Sequence, residues 1–187
     1  MALNITGEPQ ADAALENPFG LLIGMALDQQ FPMERAFAGP AKILERFGTL
    51  DPAAIATADP EAFAAMAATT PAIHRFPGSM AAKIQAIAKV VVEEYGGDAA
   101  RIWTEAPDGP ALVKRMQALP AFGKQKAQIF TALLAKQRDV RPAGWEKAVG
   151  DYALEGYRSV ADVVDSVSLQ KVREYKQSKK AAAKNAG

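Results

Sequence analysis

The sequence predicts an all-α fold, and three observations carry that expectation. Alanine is abundant and runs of β-branched residues are few, which favours helix over strand. Helix starts are marked repeatedly: Asn17-Pro18, Asp51-Pro52 and Asp59-Pro60 each set a capping side chain before a proline at the first helical position. Apolar residues recur at helical spacing, with Phe19, Leu22, Ile23, Ala26 and Leu27 as the clearest set.

Taken in order, residues 18–30 read as a buried helix. Pro32 opens the next helix and Gly48 closes it. Short helices follow Asp51 and Asp59. Residues 69–78, with Pro71, Pro77 and Gly78, read as a loop, after which Ser79 caps a helix that carries Met80, Ile84, Ile87, Ala88 and Val91 and ends at Gly96-Gly97. Asp108 starts a helix that turns at Leu119–Gly123 into a second one, about Lys124 to Gln137. Residues 139–158 are irregular, and a last helix begins near Ser166. The basic tail, residues 181–187, is expected to be disordered.

Composition narrows the chemistry. With 187 residues and 49% apolar content the chain can bury a substantial core. It has no cysteine, which excludes disulfides, thiol nucleophiles and any cysteine-held zinc or iron–sulfur cluster. A single histidine, His74, argues against a histidine metal site or a Ser-His-Asp triad. No cofactor is expected. The first ten residues lack a basic segment and an apolar run, and no stretch approaches a membrane span of roughly 18 residues. A cytoplasmic protein without a membrane partner is the expectation.

The segment Leu119-Pro120-Ala121-Phe122-Gly123-Lys124-Gln125-Lys126-Ala127 reads as a tight hairpin between two helices. Unpaired N–H groups and the positive end of the second helix attract a phosphate. Gly123 leaves room for it, and Lys124 and Lys126 add charge. No acid occurs from Gly109 to Arg138, where Lys114, Arg115, Lys124, Lys126, Lys136 and Arg138 lie, whereas residues 1–70 carry nine acids against Arg35, Lys42 and Arg46. A net charge of +1 therefore hides a basic face suited to nucleic acid.

Three segments together resemble the HhH-GPD superfamily of base-excision DNA repair proteins, the group of endonuclease III and the alkyladenine-type glycosylases. They are Leu21 to Gln30, Phe76 to Ile84, and the hairpin Leu119 to Ala127. The resemblance covers about residues 18–138 and implies a two-lobed helical fold with one helix-hairpin-helix, about 108–137. One lobe would span residues 31–137; the other would join 1–30 to 138–180. The implied partner is double-stranded DNA with a damaged base flipped into a pocket between the lobes, bound by a monomer associated with the nucleoid. Leu119, Pro120, Phe122, Gly123, Lys124 and Lys126 would contact DNA, and Gln30 is the implied wedge residue. Hairpin carbonyls around Leu119 and Phe122 would be the place for a monovalent cation, the only metal the resemblance suggests.

The chain departs from the family pattern at the chemistry. The hairpin lysine that forms a Schiff base in bifunctional members corresponds to Gln125, so strand cleavage by AP-lyase chemistry is not expected. The family aspartate, some 18 to 20 residues further on, falls at Ala143-Gly144-Trp145. Cleaving an N-glycosidic bond calls for a carboxylate near C1′, where positive charge develops. Glu146, Asp139 and Asp28 are the alternatives, while Gln125 and Trp145 are candidates to line the pocket. The expected function is DNA base-excision repair by a monofunctional glycosylase. A catalytically silent DNA-binding protein on the same scaffold, or a helical protein-interaction module, would also fit the sequence.

Overall fold

A computed structural model describes all residues, 1–187. It contains helices and no strand. They are α1 (Pro9–Ala14), α2 (Pro18–Leu27), α3 (Met33–Phe47), α4 (Pro52–Thr57), α5 (Pro60–Ala68), α6 (Pro77–Tyr95), α7 (Arg101–Thr104), α8 (Gly109–Gln117), α9 (Lys124–Arg138), α10 (Trp145–Val149) and α11 (Ser166–Asn185), with single 3-10 turns at Gly150–Ala153 and Val160–Asp162.

The start signals act as capping chemistry predicts. Asn17, Asp51, Asp59 and Asp108 each accept a backbone N–H of the helix that follows. Gly48 and Gly96 close α3 and α6 in the left-handed conformation.

Five boundaries differ from the sequence expectation. Helix α2 stops at Leu27, where Asp28 takes a non-helical ψ of 70° and Gln30 a left-handed φ of 53°. Helix α6 starts at Pro77, with Phe76 as the capping position, so Ser79 lies inside the helix; proline at the first helical position outweighs the serine signal. Residues 145–149 form a helical turn inside the segment read as irregular. Helix α1 was not foreseen; Asp12 holds it by accepting the N–H groups of Ile5 and Thr6. Helix α11 continues to Asn185 through the tail expected to be disordered, because alanine and lysine are strong helix formers.

Helix α2 is the axis of the molecule. Every residue from Phe19 to Leu27 is buried, and the helix packs on α3 while also touching α6 and α9. Helices α4 and α5 lie against α6, and α8, α10 and the 3-10 turns surround α9. One apolar core runs from Leu3 to Val172 without a break. Helices α1 and α2 pack on α3 with their apolar faces buried. The consequence for function is positional: the end of α2, the start of α9 and the start of α6 meet at one place.

Candidate functional site

The hairpin closes with Leu119 accepting the Phe122 N–H at 3.2 Å, and Ala121 takes a left-handed φ of 67°. Leu119 and Phe122 are buried, Phe122 against Phe130 at 6.2 Å between ring centroids. Their side chains therefore anchor the turn, and only their backbone is available to DNA. Gly123 and Lys124 are exposed, and no side chain caps the start of α9. A Cβ on Gly123 would meet nothing within 4 Å. The fold thus leaves open space over an uncapped helix N-terminus, as an anion site requires. The Leu119 carbonyl, an implied cation ligand, already closes the turn, and no step below depends on a cation.

Lys126 points the other way, into the molecule. Its Nζ donates to the Ala26 carbonyl at 2.9 Å and to Gln29 Oε1 at 3.4 Å. Burial lowers its pKa to about 8, with Asp28 opposing the shift and Lys83 adding to it. Asp28 is the first residue after α2. Its side chain is 9% exposed, and its carboxylate lies 3.9 Å from Lys176 of α11. Burial raises its pKa above the ordinary carboxylate range, although Lys176 and Lys126 pull it down. A buried carboxylate and a largely buried amine, each with its pKa perturbed by burial, lie at the adjoining ends of two helices.

Beside them is a cavity of about 210 Å³ lined by Gln29, Gln30, His74, Phe76, Ser79, Met80 and Lys83. Gln30 adopts a left-handed φ of 53° on its rim. His74 is buried and braces the wall: Nε2–H donates to the Gln29 carbonyl at 2.8 Å, and Nδ1 accepts the Phe76 N–H at 2.9 Å. Both bonds hold only in the neutral Nε2–H tautomer. Burial lowers the His74 pKa accordingly, against the hydrogen bond to Gln29. Phe76 stands at the mouth, 48% exposed, with the Arg75 guanidinium 5.3 Å from its ring centroid.

The other candidates lie elsewhere. Asp139 ends α9, with its side chain 87% exposed and paired to Arg141 at 3.5 Å. It is thirteen residues along the helix from Lys126, or about 20 Å at 1.5 Å per residue. Glu146 and Trp145 line a second, wider depression of about 410 Å³ with Ala135, Lys136 and Arg141. Trp145 is buried in the core, and its backbone is pinned to α8: Gly109 N–H donates to the Ala143 carbonyl at 2.8 Å. Trp145 lines that depression and not the cavity beside Asp28. Gln125 is exposed and donates to the Tyr152 hydroxyl at 3.0 Å. No cluster of three or more acidic, histidine or cysteine side chains is arranged to hold a metal ion.

A site where a helix-hairpin-helix exposes bare amides on one side and delivers a lysine to a buried aspartate on the other has the outline of a DNA-handling cleft. The family model of the HhH-GPD superfamily base excision DNA repair protein matches residues 23–186. The chain belongs to that superfamily. No curated protein and no solved structure matches it. The match begins inside α2 and ends in the last residues of α11, so Asp28, the cavity, the hairpin and the C-terminal helix all lie within the HhH-GPD domain. The all-α architecture is that of the superfamily. No helix is long and apolar enough to cross a membrane.

Within this HhH-GPD domain, sequence reasoning placed Asp28 and Gln30 at one site and missed three partners. Lys176 carried no signal beyond a basic helix. Phe76 carried one, an aromatic directly before the helix-opening Pro77. His74 was legible as a loop residue, yet its two-sided bracing of Gln29 and Phe76 depends on a contact across 45 residues of sequence.

Proposed function

We propose that this HhH-GPD protein is a monofunctional DNA glycosylase acting as a monomer on duplex DNA, at the nucleoid, with Asp28 as its carboxylate. The observation that carries this reading is the burial of Asp28 beside Lys126, at the junction of α2 and the hairpin helix and next to the cavity. A charge kept in that position opposes folding, so a role in chemistry accounts for it better than a role in stability.

In this reading the hairpin amides and Lys124 hold a phosphate, Phe76 and Gln30 fill the gap left by the extruded base, and the base enters the cavity. As the C1′–N bond breaks, its electron pair leaves with the base and C1′ becomes cationic. The Asp28 carboxylate stabilises that charge and takes a proton from the water that attacks C1′; that proton then passes through solvent to the nitrogen of the departing base, which restores the carboxylate. The products are the free base and an abasic site. Lys126 keeps its amine on the Ala26 carbonyl and Gln29, adding positive charge near Asp28 and no covalent step.

A single-turnover assay on duplexes with uracil, hypoxanthine, alkylated, oxidised and abasic sites tests this. The expected result is a strand break at one lesion that appears only after hot alkali and is lost in Asp28→Asn. Borohydride is expected to trap no covalent complex; a trapped complex would replace the monofunctional reading with a lyase. Tight binding without release of any base would make the protein a silent DNA binder on the same scaffold.

A further inference from the structure

Helix α11 has two different halves. Its first turns pack through Ser168, Val172 and Leu169. Beyond Lys176 every residue to the end of the helix is exposed. At 100° per residue, Arg173, Lys176, Lys180 and Lys184 fall within about 80° of one another, on one face. The first two of these cations are matched by acids of the fold, Arg173 by Glu34 and Lys176 by Asp28. The last two continue the same stripe, are exposed and form no salt bridge.

Lys179, about 60° round the helix from Lys176, flanks the stripe and gives it a direction. Lys176 sits over Asp28. Lys179 stacks on Tyr175, 5.3 Å from its ring centroid, and its pKa is raised by the Tyr175 hydroxyl, with Tyr152 and Asp151 contributing. Tyr152 accepts a hydrogen bond from Gln125, the second residue of α9. The basic end of α11 thus starts from Lys176, seated on the Asp28 turn that the first turn of α9 also contacts through Lys126, directly after the hairpin.

We propose that residues 177–185 of α11 form a second DNA-backbone arm, in which Lys179, Lys180 and Lys184 hold phosphates of the duplex gripped by the hairpin. The occupant is DNA and not an acidic protein, because the stripe continues from the Asp28 turn beside the hairpin helix and offers exposed point charges with no apolar anchor beside them. This rests on the DNA reading given above, and it adds a contact region about 12 Å long at 1.5 Å per helical residue.

The test uses the full chain and fluorescence anisotropy with an undamaged duplex and one carrying a stable abasic analogue, titrated over roughly 50 to 200 mM salt. The variants are Lys179→Ala/Lys180→Ala/Lys184→Ala, the same triple change to arginine, and Lys124→Ala. All three arm lysines are exposed, so folding is untouched and circular dichroism checks it. The alanine triple is expected to weaken both duplexes and to lower the slope of log K against log salt by about 2 to 3, at roughly 0.9 per phosphate; the arginine triple keeps both. An unchanged slope in the alanine triple, with Lys124→Ala still lowering affinity, would overturn the arm and leave the DNA reading standing. Absence of binding by the unmodified protein would overturn both.

Discussion

The ammonium of Lys126 lies 2.9 Å from the carbonyl oxygen of Ala26, a bond across 100 residues that ties the first turn of the hairpin helix to the last turn of α2. Cations at a helix C-terminus are favourable, yet here the amine is buried and its pKa falls to about 8. An NMR titration of dimethylated lysines is expected to show one resonance with a midpoint near 8. In Asp28→Asn it moves lower still, because Asp28 is the group that holds it up. A midpoint near the ordinary 10.5 would mean that the amine is solvated and the junction open.

Asp28→Asn separates function from stability. Burial raises the Asp28 pKa, so between the unfolded value and the folded one the native state binds more protons, and stability falls as pH rises through that window. The penalty is present once the pH exceeds the folded value. The variant is expected to melt higher than the unmodified protein at pH 7 while losing base release. The difference in melting temperature closes as the pH approaches 3.8. A variant that melts lower at pH 7 would assign Asp28 a structural role.

Two identical substitutions are expected to behave in opposite ways. At Gly109 a Cβ would lie 2.5 Å from the Trp145 Cα, a backbone atom that cannot give way. Gly109→Ala is expected to cost at least about 1–3 kcal/mol, the usual scale of overpacking, and to detach α10, read by denaturant unfolding and loss of tryptophan burial. At Gly123 the space is empty and φ is −89°, open to any residue. Gly123→Ala is expected to unfold normally but to bind duplex DNA about tenfold more weakly, since a charge-assisted hydrogen bond is worth about 1.5–3 kcal/mol.

His74 makes the cavity wall sensitive to acid. Its folded pKa lies below the unfolded value of 6.5, so the unfolded chain takes up a proton first and stability is lost as pH falls through 6.5 towards the folded value. Protonating Nδ1 also breaks its bond to the Phe76 N–H. Urea unfolding across pH 5 to 8, roughly the range in which imidazoles titrate, is expected to show this slope in the unmodified protein and to show it reduced in His74→Gln. Equal slopes would place the acid-sensitive group elsewhere.

Much of this was legible in the sequence. Four caps, the two closing glycines and the Leu119–Gly123 turn are local signals, and local chemistry decides them. Asp28 was legible as one carboxylate among three, and only the packing of α9 on α2 distinguishes it from Asp139 and Glu146. Trp145 illustrates the limit: its place in the chain suggested a pocket, but the close approach of Gly109 turns it into the core, and no spacing rule encodes that contact. Helix α1 depends on Asp12 reaching Ile5 and Thr6, again a tertiary event. The α11 stripe is visible in the sequence as a helical wheel, but its orientation is not, because that is set by Glu34 and Asp28.

The cavity is assembled from two unlike sources. Gln29 and Gln30 on one side belong to the same turn as Asp28, whereas the rest of its lining comes from the run His74 to Lys83. In the proposed reading, selectivity and reactivity are thus written on separate pieces of chain. The 74–83 run would then be an exchangeable cassette: provided His74 is kept to brace Gln29, its remaining positions are the ones to rewrite to admit a different base while Asp28 stays in place.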